Sequence, residues 1–157
     1  MTAAIHPMRD SQLATVRGLI MEYAGSLGID LEFQSFDREM AEFPGEYQEP
    51  SGRILVAGVG DRVVGCVCMR QFAPGICEMK RLYVVPEYQG HGLGRALAQA
   101  VINRARAMGY DRMRLDTLAD MHEAKALYRS LGFKECQPYR PNPHSGTSFL
   151  ELTLLHH

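Results

Sequence analysis

Residues 76–95 read ICEMKRLYVVPEYQGHGLGR, and this stretch decides the fold. Ile76 to Val85, with Ile76 at its start and Leu82, Tyr83, Val84 and Val85 at its end, reads as a strand that stops at Pro86. From about Gly90 to Met108, residues Leu93, Leu97, Val101, Ala105 and Met108 fall on one helical stripe, and Gly109 stands where the helix should end. Arg112 to Leu118 predicts the next strand. A crossover helix of that length requires the two flanking strands to lie parallel, with a right-handed connection.

Working outward from this unit, Arg53–Val59 and Arg62–Phe72 are β-rich runs joined at Gly60-Asp61, a pair suited to the positive backbone angles of a tight hairpin. Upstream, Ala3 to Met8 reads as a short extended segment. Leu13, Val16, Ile20 and Tyr23 predict a helix over Asp10 to Leu27, with Asp10 or Ser11 as its cap. Phe33, Phe36, Met40 and Phe43 repeat the helical spacing before Pro44-Gly45, and PGEYQEPSG to Gly52 reads as a loop. Downstream, Asp120 and Glu123 resemble a capping pair for a helix bearing Ala124, Leu127, Tyr128 and Leu131, which Gly132 ends. Closing strands are expected near Phe133–Gln137 and Thr147–Leu155, with the proline-stiffened loop PYRPNPHSG between them. The fold class is α+β: one domain over 1–157, a mixed sheet with helices packed against it.

Composition fits that reading. The 157 residues are 46% hydrophobic and 22% charged, with a formal net charge of −1. A chain this long buries roughly 70% of its unfolded surface, so it needs neither disulfides nor a structural metal. Near-neutral charge argues against a nucleic-acid partner. No apolar run approaches a membrane span, and MTAAIHPMRDSQ lacks the features of a signal peptide, so no membrane partner and a cytoplasmic location are expected. The four cysteines show no paired Cys/His spacing for zinc, so no metal is expected. His156 and His157 could be the remnant of a tag.

Charge is unevenly spread. Asp30 to Glu49 holds seven acidic residues (Asp30, Glu32, Asp37, Glu39, Glu42, Glu46, Glu49) against Arg38 alone, whereas Gly90 to Lys134 is mainly basic. Solvated faces account for this, and so would a cationic ligand near the first segment and an anionic one on the second.

The strongest chemical signal is Gln89-Gly90-His91-Gly92-Leu93-Gly94-Arg95, between strand and helix. Unobstructed N–H groups and the positive end of the helix dipole make an anion site, for which phosphate is the natural ligand. No Lys-Ser/Thr follows, so this is not a Walker loop, and Leu97 stands where a dinucleotide fingerprint needs its third glycine. A purely structural turn is the competing reading.

Here the sequence resembles the GNAT superfamily of acyl-CoA-dependent N-acetyltransferases. Gln89-x-x-Gly92-x-Gly94 matches that superfamily's Q/R-x-x-G-x-G/A motif, and LDTLADMHEAKALYRSLGF looks like its second motif, with Ala124, Tyr128 and Leu131-Gly132-Phe133. The resemblance implies a GNAT-like acyl-CoA N-acyltransferase fold, a central mixed sheet with splayed parallel strands, and acetyl-CoA as co-substrate. It implies that Leu82, Tyr83 and Val84 line the pantetheine arm, with the Leu82 N–H polarising the thioester carbonyl. The amides of Gly90, His91, Gly92, Leu93, Gly94 and Arg95 would hold the pyrophosphate, with Gln89 in support and Arg95 adding charge. His91 is otherwise simply an exposed turn residue. Tyr128 matches the family's general acid, although its position on the apolar stripe equally suits a core residue. Glu78 stands where some members carry a general base; burial should raise its pKa, and an ion pair with Lys80, Arg81 or Arg70 is the alternative. Met121 stands where the second motif often has an asparagine that contacts the coenzyme, so that contact is either lost or supplied by a neighbour such as His122 or Lys125.

The activity so implied is transfer of acetyl from acetyl-CoA directly to a primary amine, on a small molecule or a peptide, within a ternary complex. A non-catalytic acyl-CoA sensor is the alternative, and a homodimer stays open. The acceptor is expected where the N-terminal helices and the two loops meet the splayed strands, with Glu32, Glu39 and Glu46 as attractors of a cationic amine.

Overall fold

The computed structural model describes residues 2–27, 35–141 and 144–155. Phe33, Asp30, Glu32, His156 and His157, singled out above, lie outside the described residues. Strands β1 (Ala4–Pro7), β2 (Arg53–Val59), β3 (Arg62–Ala73), β4 (Ile76–Val84), β5 (Arg112–Thr117), β6 (Lys134–Glu135) and β7 (Ser148–Thr153) form one sheet in the order β1-β2-β3-β4-β5-β7-β6. Every neighbouring pair is antiparallel except β4 and β5, which are parallel as the crossover argument requires.

The crossover helix α3 (Leu93–Ala107) starts three residues later than its apolar pattern suggests, because Gly90 (φ 82°) and Gly92 (φ 81°) hold left-handed turns ahead of it. It buries Leu93, Leu97, Ala98, Val101, Ile102 and Ala105 against the sheet. Each fully buried leucine, valine or isoleucine there contributes about 1.5–3 kcal/mol relative to exposure. Gly109 (φ 90°) ends the helix as expected.

On the hairpin between β2 and β3, Gly60 alone takes a positive φ (58°), so Asp61 keeps an ordinary conformation and the turn needs only its glycine. Helix α1 (Leu13–Ser26) follows a 3-10 turn at Asp10–Gln12. Neither Asp10 nor Ser11 caps α1; instead the Gln12 carboxamide oxygen accepts from the Arg9 N–H at 2.9 Å. Helix α2 (Phe36–Glu42) stops before Pro44, and Gly45–Tyr47 makes a 3-10 turn within the expected loop. Helix α4 (His122–Ser130) starts after Met121, and Asp120 does not cap it. Among the described residues no helix is long and apolar enough to cross a membrane.

Two features of β4 position the site. Its pairing with β5 covers only Ile76–Glu78 against Arg112–Arg114, although both strands continue beyond. From Met79 onward β4 therefore has no strand partner on that side, and the sheet splays. On its other side β4 carries a bulge: Cys66 opposes Tyr83 and Cys68 opposes Lys80, so two steps of β3 face three of β4. Arg81 absorbs the extra residue at φ 61°, a conformation that costs an arginine energy. Its guanidinium compensates by binding both oxygens of Glu39 on α2, at 2.9 and 2.8 Å, and by stacking 5.2 Å from the Phe36 ring. Removing either charge of this buried pair would leave the other uncompensated, a cost of about 3–5 kcal/mol. The bulge also breaks the alternation that would put Glu78, Lys80, Leu82 and Val84 on one face.

Candidate active site

The splay opens a crevice of about 50 Å³ whose walls include Lys80, Arg81 and Leu82 from β4, Asp116 and Thr117 from β5, and Tyr128 from α4. Tyr23 and Leu27 at the end of α1 close one side. The sheet's two parallel strands thus supply opposite walls, because the backbone hydrogen bonding that would hold them together ends at Glu78 and Arg114.

Tyr128 is buried, with its ring edge-on to Phe133 at 5.8 Å, and its hydroxyl has no hydrogen-bond partner among the described residues. Burial pushes its pKa well above the ordinary tyrosine value, so it stays protonated across the neutral range. It is at once a core residue and a wall of the crevice.

Glu78 is fully buried. Arg70 donates to its Oε1 at 3.0 Å, while Tyr139 (2.8 Å) and Arg140 both donate to its Oε2. Burial alone would raise its pKa, but the charges of Lys80, Arg140 and Arg70 outweigh it and hold the carboxyl below its usual range. The expected rise is therefore reversed, and the ion pair with Arg70 is the geometry present. Tyr139 and Arg140 come from the proline-rich loop, 61 and 62 residues downstream, a pairing that local sequence pattern carries no signal for.

Asp116, which sequence reading passed over, differs in each of these respects. Its Oδ2 is buried without a hydrogen bond, and the closest cation, Arg140, lies 3.9 Å away. Burial raises its pKa, an effect that the neighbouring charges of Arg140 and Lys80 only partly oppose. Thr117 Oγ1, on the same wall, is also buried without a partner.

Lys80 is 8% exposed and makes no hydrogen bond or ion pair with a described residue. Burial, with the adjacent Arg81 charge, pushes its pKa down to about 8, against the attraction of Glu78 and Glu39. At pH 7 the fold thus holds an ammonium at a cost on the order of 3 kcal/mol. Lys80→Met is expected to raise Tm at pH 7. The advantage should shrink as pH climbs from about 8 towards about 10.4, where the folded wild type gives up its proton before the unfolded chain does. A pH series of thermal melts on both proteins checks this, and an unchanged or lower Tm at pH 7 contradicts it.

The glycine turn lies beyond the end of β4. Gly92 precedes α3 with no side-chain cap, so the N–H groups of the first helical turn are free to face an anion. Gln89 uses its amide to donate to the Val84 carbonyl at 2.8 Å, bracing the turn on the strand. Arg95 donates to Ser130 Oγ at 2.6 Å, tying the first turn of α3 to the helix that carries Tyr128. Gly90 and His91 are exposed, Leu93 is buried, and Gly94 has nothing within 4 Å of an added Cβ. Leu82 sits in the crevice wall, while Tyr83 turns towards α1, donating to Glu22 at 2.5 Å. Lys125 donates to the Ala119 carbonyl, and Met121 lines the crevice.

Residues 20–133 match the acetyltransferase (GNAT) family. The chain belongs to that family. An uncharacterized N-acetyltransferase of Schizosaccharomyces pombe is 41% identical over 138 residues, which cover 87% of this chain and 85% of that protein. A GNAT-family acetyltransferase of Staphylococcus aureus superposes with a TM-score of 0.79 at 18% identity, over 98% of this chain and all of that one. An acetyltransferase of Salmonella typhimurium, solved with its cofactor acetyl-CoA, superposes with a TM-score of 0.72 at 20% identity, over all of this chain and 96% of that one. Of the features that the resemblance implies, this chain has the splay after Glu78 and free amides at the start of α3.

Of the three glutamates expected to attract a cationic amine, Glu39 is paired with Arg81 and Glu46 with Arg70, while Glu32 lies outside the described residues. Among the described residues no cluster of three or more His, Cys, Asp or Glu side chains could hold a metal.

Proposed function

We propose that this GNAT protein transfers the acetyl group of acetyl-CoA directly to a primary amine in a ternary complex. The observation that carries the reading is the crevice itself, which has a protonated tyrosine on one wall and, on another, a carboxylate of raised pKa whose buried oxygen makes no hydrogen bond. Free amides at the start of α3, with Arg95 beside them, suit the coenzyme's pyrophosphate. The backbone of β4 around Leu82, Tyr83 and Val84, which has no strand partner on the side facing β5, suits the pantetheine arm, and the Leu82 N–H the thioester carbonyl.

In this scheme Asp116 takes a proton from the acceptor's ammonium, and the freed amine attacks the thioester carbon. A C–N bond forms, the C–S bond breaks, and the sulfur leaves with its electron pair and takes the Tyr128 proton. The nitrogen's second proton, released as the adduct collapses, restores the tyrosine. Glu78, whose oxygens are occupied by Arg70, Tyr139 and Arg140, fixes the loop that carries Arg140 beside Asp116. A covalent acyl-cysteine is disfavoured because burial pushes the Cys66 and Cys77 thiols up to about 12, leaving almost no thiolate. Initial rates measured with both substrates varied should give intersecting double-reciprocal lines. Parallel lines would signal an acyl-enzyme and contradict direct transfer.

A further inference from the structure

The charges at this end of the sheet fall into two sets. Glu78 is answered by Arg70 and Arg140, and Arg81 by Glu39. Lys80 and Asp116 are answered less well: both line the crevice and both are nearly buried, yet among the described residues Lys80 has no ion pair and Asp116 has only Arg140 at 3.9 Å, with its buried Oδ2 making no hydrogen bond. Each lies within the other's field all the same, since Lys80 draws the Asp116 pKa down against its burial. Buried polar groups are ordinarily bonded, so an unpaired ammonium and a carboxylate oxygen without a hydrogen bond, facing one cavity, call for a ligand that supplies a partner to each.

We propose that the acceptor is a free α-amino acid, its carboxylate held by Lys80 and its amine by Asp116. This rests on the acetyl-transfer reading above and names the substrate class of the same crevice. A zwitterion adds no net charge to the crevice and satisfies both groups at once. A plain cationic amine would answer Asp116 but leave the Lys80 ammonium unpaired beside it, and a polyamine would fare worse. A peptide N-terminus brings the ammonium but not the adjacent carboxylate. Thr117 Oγ1, buried on the same wall without a partner, is a further polar group for such a ligand.

The test offers acetyl-CoA and the wild-type protein each proteinogenic α-amino acid beside its carboxamide and its decarboxylated amine, and reads N-acetyl product by mass. At least one amino acid should be acetylated, with kcat/KM roughly 10- to 100-fold above its carboxamide, the loss expected when one charge-assisted bond goes. In Lys80→Met, with folding checked by circular dichroism, that preference should collapse towards unity through a rise in KM for the acid. The wild-type comparison stands alone if the variant does not fold. Carboxamides, plain amines or peptides acetylated as fast as amino acids would overturn the proposal while leaving acetyl transfer intact. A preference that survives in Lys80→Met would overturn it too. Should nothing be acetylated, the acetyl-transfer reading fails. Calorimetry on the CoA-loaded protein then decides this inference: binding of amino acids but not of their carboxamides sustains it, and no binding at millimolar concentration overturns it.

Discussion

Asp116→Asn should lower kcat/KM for acetyl transfer by about 10²–10⁴-fold, the usual contribution of a positioned proton acceptor. The substitution preserves size and leaves a polar group, so Tm should move little. It removes only the ability to hold a proton. In the proposed scheme the ionised form of Asp116 is the active one, and burial raises its pKa above that of an ordinary aspartate. Activity should therefore fall on the acid side as pH drops through that raised value, and the variant's residual activity should lack this limb. Glu78→Gln should behave differently. That carboxylate is held below its usual range by Lys80, Arg140 and Arg70 and has three hydrogen-bond donors, so its loss should act on stability and on the loop bearing Arg140. A Glu78→Gln variant that keeps its melting temperature but loses the acid limb would return the base role to Glu78.

Tyr128→Phe should lower kcat by about 10²–10³-fold with little change in KM for acetyl-CoA. The ring's packing on Phe133 survives the substitution, and no protein hydrogen bond is lost among the described residues, so the variant should fold with near wild-type stability. What goes is the proton for the departing thiolate. Because burial pushes the Tyr128 pKa well above the ordinary range, the wild type should show no alkaline limb from this group in the working range. Steady-state kinetics at saturating acetyl-CoA read the effect, and undiminished kcat would reduce Tyr128 to a core residue.

How much of this was legible in the sequence follows the range of the interactions. The glycines at 90, 92 and 109 need left-handed angles that are local properties, and they stand where the strand–turn–helix pattern puts them. Parallel pairing of β4 and β5 followed from one crossover. The splay did not follow from strand propensity, because both strands continue past the point where they part. The bulge at Arg81 breaks period-2 alternation, and the carboxylate that binds its side chain lies 42 residues upstream, in Glu39. Asp116 looked like one charge among many on a basic segment. Only the fold shows that its neighbours on the crevice wall leave its Oδ2 unbonded, whereas Glu78, which sequence favoured, is enclosed by a loop that no local pattern connects to it.

The central claim is that this crevice transfers acetyl groups, and one measurement meets it directly. Purified protein is mixed with acetyl-CoA and a panel of amino acids, polyamines, aminoglycosides and short peptides, while free thiol and N-acetyl product are followed together. Thiol and product should appear in equal amounts with at least one primary amine, and Asp116→Asn should suppress both. Tight calorimetric binding of acetyl-CoA with no product across the whole panel would contradict the account and leave a coenzyme-binding module in place of an enzyme.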